Sequence, residues 1–403
     1  MKVLFVTYDF PYPITSGGKN RAYHLLKYTA KKADVFLYSF VREDYNPDSN
    51  KEIFALGVKD IKVIKRKKLS SFSNLPKTIL QNSSIFKTLY KNDQVLSELR
   101  QIIKKEEIDI VHFESTYTGF YIGHELRGVK QILGTENIEF QLYLDYAKSL
   151  SKFYLKPFVY YQAERLKKEE LSMVKSADAV TTITQSEADF LESLTNVKPS
   201  IVANGIEPDV YDFQYNDSVT RNILFVGNFS YFPNIDAVQF FYKNVFNKLD
   251  KDITLTIIGK KCNEKFKFNN KRIIQKDFVD DIITEYRKAD ILVFPIRIGG
   301  GTNFKVLEAM SLGIPIVAQP ERLSGLRAVE GEHFLGASTG EEYISQIKKL
   351  YADNALRRNL ANSSRNLIDL ILNKILDSHK LVQAFFDIKL FDKTSCKDLP
   401  QKL

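Results

Sequence analysis

Cysteine is nearly missing from this sequence. Cys262 and Cys396 are the only two among 403 residues. They give neither metal-ligand spacing nor a disulfide framework, which makes a reducing cytosol the expected setting. Glycine and proline are also sparse, at 18 and 12 residues, too little bias for a long disordered region. Long hydrophobic runs are lacking as well. The apolar start is interrupted by Asp9, Pro11 and Pro13, too early for a signal-peptide core, and no later run approaches a membrane span.

What is present is an ordinary globular composition, 44% hydrophobic and 27% charged, in a chain whose length favours two domains over one. The net charge of +9 is concentrated. Residues 61–105 hold eleven Lys or Arg against Asp93 and Glu98, and so carry the whole excess. Such a stretch is either a solvated helical face or a surface for an anionic membrane or an anionic acceptor. Nucleic acid is disfavoured, because no recognition motif accompanies the charge.

Apolar runs with strand character fall at 2–10, 34–40, 109–114, 130–135 and 178–184, with helical spacing over 22–30, 89–106 and 158–176. The pattern restarts at 223–228, continues with a helix over 234–250, and adds strands at 253–259, 272–276, 290–295 and 314–318. Between the halves, 200–222 contains Asn204-Gly205 and Pro208 and reads as a hinge. This alternation predicts two doubly wound α/β domains, 1–203 and 204–375, with a tail at 376–403 that packs back on the first. Thr339 and Glu342 form a capping-box pair that opens a helical segment running to about residue 390. The aromatic-basic segment 153–168 either rests on anionic headgroups or packs its aromatics into the core.

The chemistry concentrates at 295–315, PIRIGGGTNFKVLEAMSLGIP. A strand ends at Pro295, a glycine triplet follows, Thr302 can cap a helix over 303–312, and Gly313 and Pro315 end it. Gly300 and Gly301 let the backbone approach an anion closely at a helix N-terminus, a setting that suits a diphosphate. Arg297 and Lys305 flank that loop and can add charge-assisted bonds to phosphate. Glu308 lies a turn deeper and suits two ribose hydroxyls. No G-x-G-x-x-G follows the first strand of either half, which disfavours a dinucleotide oxidoreductase.

This stretch resembles the signature of the retaining glycosyltransferases of family four (glycosyl transferases group 1). The likeness extends to the strand, Gly17-Gly18 loop and helix of residues 2–31, to NGIEPDVY at 204–211, to VGNFSYFPNIDAV at 226–238 and to KADILVFP at 288–295. It implies a GT-B fold, two Rossmann-like domains facing a central cleft, and transfer of a hexose-type sugar with retention. The implied donor is a UDP-, GDP- or dTDP-sugar, with no cofactor and no metal. The implied acceptor is a glycan or a lipid-linked molecule of surface polysaccharide or glycoconjugate synthesis, handled in the cytoplasm or on the inner face of the membrane. Gly17 and Gly18 would face phosphates or acceptor, and Phe278 and Val279 would line the base pocket.

Three departures accompany the resemblance. Gly300 stands where the family has the first of two glutamates. Asn228, with Phe229 and Asn234, stands where many relatives carry an Arg and a Lys on the diphosphate. No histidine sits in the usual place, since His112 lies within a strand. The catalytic candidates are therefore Glu114 and Glu136, at strand ends. A non-catalytic GT-B subunit that binds a partner or glycan, and a nucleotide-sugar epimerase, are the alternatives.

Overall fold

The computed structural model describes residues 1–66, 82–150, 152–204, 206, 211–215, 217–298 and 304–375. Gly300, Gly301, Thr302, most of 205–210 and the tail 376–403 lie outside the described residues, as does 67–81 within the basic stretch. The chain divides into two compact units, Met1–Ala203 and Asn204–Leu376.

The first unit holds a seven-stranded sheet of order β3-β2-β1-β4-β5-β6-β7, parallel throughout. Its strands are β1 Lys2–Thr7, β2 Asp34–Val41, β3 Asp60–Lys65, β4 Ile110–Glu114, β5 Lys130–Gly134, β6 Ala179–Thr182 and β7 Ser200–Ile201. Both faces are covered, so the central strands read as nearly continuous apolar runs. Alternation still sorts the side chains. Val3 and Phe5 join Val35, Leu37 and Ile110 on one face, while Leu4 and Val6 join Phe36, Tyr38, Val111 and Phe113 on the other.

The second unit repeats the design with six parallel strands in the order β10-β9-β8-β11-β12-β13. These are β8 Asn222–Val226, β9 Thr254–Ile258, β10 Ile273–Lys276, β11 Ile291–Phe294, β12 Ile316–Ala318 and β13 Leu335–Gly336. The order reverses between β1 and β4 in the first unit and between β8 and β11 in the second. At such a switch point the two flanking crossovers run to opposite faces and leave a crevice beyond the strand C-termini.

Several elements differ from expectation. Strands β3, β7 and β13 were not foreseen. β3 is an edge strand with alternating exposure, and the other two are only two residues long. The helix expected over 89–106 is two helices, Ile85–Tyr90 and Asp93–Glu106, because extended Asn92 caps the second by accepting from Gln94 N at 3.0 Å. The Thr339–Glu342 capping box is formed, but its helix, Gly340–Ala352, stops at extended Asp353. That carboxylate then caps the next helix, Asn354–Ile375, by accepting from Leu356 N at 2.8 Å.

Candidate functional site

The second unit assembles its polar groups around the helix Phe304–Leu312, which follows β11 at the switch point. Glu308 projects between two tyrosines from elsewhere. Tyr286 Oη donates to Oε2 at 2.8 Å and Tyr211 Oη donates to Oε1 at 3.2 Å. Tyr211 is itself placed by Arg365, whose Nη1 donates both to the Tyr211 carbonyl at 2.8 Å and to Ser311 O at the helix end at 2.9 Å. Burial raises the Glu308 carboxyl above its usual value, although the tyrosines and Lys305 pull the other way. A carboxylate offers about four acceptor positions. The tyrosines take two, so each oxygen keeps a lone pair for an incoming hydroxyl.

One turn earlier, Lys305 Nζ donates to Asn234 Oδ1 at 2.8 Å and lies over the Phe225 and Phe294 rings at 4.9 and 5.5 Å. No carboxylate among the described residues is within ion-pair distance of it. Burial consequently lowers its pKa to about 7, against a smaller opposing pull from Glu308. Asn234 also donates through Nδ2 to the Asn228 carbonyl at 2.9 Å, which ties the turn after β8 to the helix after β11. Gly227 permits this, because a Cβ there would lie 2.9 Å from the Asn234 amide carbon. Asn228 Oδ1 accepts from Ser230 N at 2.9 Å and so shapes the turn.

Arg297 is placed differently from Lys305. It makes a bidentate pair with Asp236, Nε to Oδ2 at 3.0 Å and Nη2 to Oδ1 at 2.6 Å, and stacks on Phe240. Phosphate would have to share it with that carboxylate. Beyond the C-terminal end of β10, Phe278 is 78% exposed, beside half-buried Val279, a bare ring of the kind on which a planar base stacks.

In the first unit, Ser16 caps the helix Gly17–Ala30 by accepting from Lys19 N at 3.4 Å, which sets Gly17 and Gly18 in its first turn. Gly18 faces Tyr8, just after β1, and Glu136, just after β5. A Cβ at Gly18 would lie 2.6 Å from Glu136 Oε2 and closer still to the Tyr8 hydroxyl. Burial, with nearby Glu114, raises the Glu136 carboxyl to about 8. That shift favours the protonated form, which can donate.

Glu114 is wholly buried. Arg21 Nε donates to its Oε1 at 2.6 Å, and His112 Nε2 lies 2.6 Å from Oε2. Burial alone would raise this carboxyl, but Arg21 and His112 outweigh it and hold it at about 2. Each of its oxygens is thus held by a neighbouring side chain. Arg21 Nη1 also donates to Val202 O at 2.7 Å, joining the glycine-led helix to the strand β7 exit. The residue after Glu114, Ser115, has φ of 87°, a backbone conformation that costs a non-glycine residue energy and recurs at functional strand ends. Behind Glu136, Glu139 accepts from Tyr117 Oη at 2.8 Å and is raised by burial and Glu170 to about 8.

Sequence reasoning missed Tyr8, Arg21, Glu139, Tyr211 and Tyr286 as partners. Tyr211 ends the NGIEPDVY segment and Tyr286 lies just before KADILVFP, but no spacing rule connects either to Glu308.

Two doubly wound parallel units in tandem, each with its polar groups at the switch point, define a GT-B fold. Residues 15–210 match the sequence model of Glycosyltransferase Family 4, and residues 220–353 match that of Glycosyl transferases group 1. The protein is a glycosyltransferase.

Among curated proteins it is similar to the uncharacterized glycosyltransferase MJ1069 of Methanocaldococcus jannaschii, with 24% identity over 213 residues, or 48% of this chain. The matched part spans about half of that relative, 54% of its length. Among solved structures it is similar to sucrose-phosphate synthase from Thermosynechococcus elongatus, with a TM-score of 0.73, 14% identity, and coverage of 96% of this chain and 99% of the other. It is also similar to Anabaena Alr3699/HepE in complex with UDP, with a TM-score of 0.64, 11% identity, and coverage of 95% and 100%. At these identities the structural likeness concerns the fold.

Proposed function

We propose that the protein moves a hexose-type sugar from a nucleotide-sugar donor to a glycan or lipid-linked acceptor, with retention and without a metal, in surface polysaccharide or glycoconjugate synthesis. The observation that carries this reading is Glu308, held by Tyr286 and Tyr211 with one lone pair of each oxygen left for the vicinal hydroxyls of a ribose. The Anabaena protein's solution with UDP and with UDP-glucose supports a donor of this class.

In this reading the second unit binds the donor. Phe278 and Val279 receive the base, Glu308 the ribose, and Lys305 the diphosphate. Lys305 is fixed by Asn234, where relatives use an Arg and a Lys. The Gly300, Gly301 and Thr302 segment supplies backbone amides, and Arg297 contributes if its pair with Asp236 is shared. Cleavage of the bond from sugar C1 to the diphosphate oxygen leaves charge on that oxygen, which Lys305 and the helix N-terminus stabilise. The acceptor oxygen bonds to C1, and its proton passes to the departing phosphate side. The first unit handles acceptor and sugar, with Glu136 and the Tyr8 hydroxyl facing the Gly18 turn. The net positive charge and the run at 61–105 support a peripheral site on the inner face of an anionic membrane.

A thermal-shift screen against UDP-, GDP- and dTDP-sugars tests the donor site. The expected result is stabilisation with one nucleotide class, about 2.7 kcal/mol at a hundredfold excess over Kd, lost in Glu308→Ala. Anomer analysis of the product and an EDTA control test retention and metal independence. Binding without turnover on any glycan or lipid-linked acceptor would favour a non-catalytic subunit, and donor conversion with no acceptor present would favour an epimerase.

A further inference from the structure

The two helices after β5, Glu139–Ser149 and Lys156–Ser176, form an antiparallel hairpin. At one end the amides of Glu139 and Phe140 donate to the buried Glu170 carboxylate at 3.2 and 3.0 Å. At the other, Lys156 Nζ donates to Lys148 O at 3.2 Å. The hairpin leaves the sheet at the C-terminal edge of β5, beside Glu136, and must return to the opposite edge to enter parallel β6. The tip therefore projects past the edge that carries Glu136. Fourteen residues separate Lys156 from Glu170, so the tip stands roughly 20 Å beyond the Glu170 level.

That tip is a turn, Phe153–Leu155, whose three side chains are 78%, 63% and 38% exposed. One helical turn on, Tyr160 is also exposed. Residues 146–163 contain Lys148, Lys152 and Lys156 and no acid. The nearest preceding carboxylate, Asp145, is paired with Lys148 at 3.0 Å. Bare adjacent apolar side chains on a soluble surface mark a contact site. A single turn is far smaller than the roughly 800 Å² per partner that a stable protein interface uses. An apolar tip with a basic collar instead suits the boundary between headgroups and acyl chains.

We propose that this tip is an interfacial anchor, with Phe153, Tyr154 and Leu155 entering an anionic bilayer and Lys148, Lys152 and Lys156 resting on its phosphates. The inference rests on the lipid-linked acceptor reading and deepens it. It holds the edge bearing Glu136 within roughly 20 Å of the membrane surface, the reach of a headgroup-linked glycan.

The chain has no tryptophan, so Phe153→Trp installs a sole reporter at the tip. The expected result is a blue-shifted emission with vesicles of phosphatidylcholine plus phosphatidylglycerol, weakened by salt and absent with phosphatidylcholine alone. A triple variant, Phe153→Ser, Tyr154→Ser and Leu155→Ser, should sediment with the anionic vesicles about tenfold less or worse, while its donor-induced thermal shift stays that of the wild type. Unchanged emission on adding vesicles, or unchanged sedimentation of the triple variant, would overturn the anchor. So would lipid-free self-association abolished by Phe153→Ser, which would make the tip a protein contact. The sugar-transfer reading fails separately, through loss of every donor shift while tip-dependent vesicle binding persists.

Discussion

Tyr8 Oη donates to Glu136 Oε2 at 3.3 Å, across 128 residues of sequence, in space that stays open because position 18 is glycine. Gly18→Ala must displace that pair. We expect turnover to fall about tenfold to a hundredfold while folding loses about 1–2 kcal/mol from overpacking, read from steady-state rates and thermal melts. Alanine is the better helix former, so full activity with a raised melting temperature would show that the pair yields freely.

Tyr286→Phe separates support of Glu308 from its contact with donor. The variant keeps the carboxylate but removes its 2.8 Å donor, leaving a buried acceptor worth about 1–3 kcal/mol when unsatisfied. Donor affinity should weaken roughly tenfold by calorimetry, with kcat at saturation nearly unchanged. An unaltered Kd would show that Tyr286 does not set the carboxylate.

Burial disfavours the Lys305 charge and lowers its pKa to about 7. A diphosphate favours the charged form, so above that pH binding must take up a proton. Donor affinity should therefore fall as pH rises, by up to about tenfold per unit. Lys305→Arg, charged throughout, should flatten the profile. A wild-type profile already flat from about pH 7 to 9 would exclude Lys305 as the phosphate ligand.

The first unit should behave oppositely to ordinary acid-labile proteins over part of the range. Glu136 and Glu139 are raised by burial from 4.5 to about 8, and Glu170 to about 7. Between 4.5 and those values the folded form holds more protons than the unfolded form, so stability is greatest at the lower end and declines as pH rises. Below it the trend reverses, since Glu114, held at about 2, must be protonated. Melting temperatures should fall by several degrees from about pH 5 to about pH 8, and less in Glu170→Gln. A rise over that interval would contradict the assignment.

Gly313 ends the helix of Lys305 and Glu308 with φ of 76°, and a Cβ there would strike the Phe213 ring. Gly313→Ala should cost at least about 2 kcal/mol in denaturant melts. A smaller loss would mean that Phe213 rotates aside.

Much of the fold was legible because β1, β4, β5, β8, β9 and β11 are buried on both faces and read as apolar runs. Edge strand β3, with three lysine and aspartate positions among six residues, carries no such run. Asn92 and Asp353 broke helices whose apolar spacing continued through them. Glu308 could be singled out as a candidate from its place behind a glycine-rich turn. Its partners could not, because the hydrogen bond to Tyr211 spans 97 residues and is made by the fold. The Glu136 environment was hidden for the same reason, since Tyr8, Gly18 and Glu136 meet only at the C-terminal edge of the assembled sheet.

Glu170 caps a helix that lies 30 residues before it. On the ribosome, the first turn of Glu139–Ser149 is therefore made, and left with open amides, well before its cap is translated. The Glu136 loop can settle only after the long return helix has docked. A nascent chain stopped short of residue 170 would carry β1 to β5 of the first unit without the means to hold that loop in place.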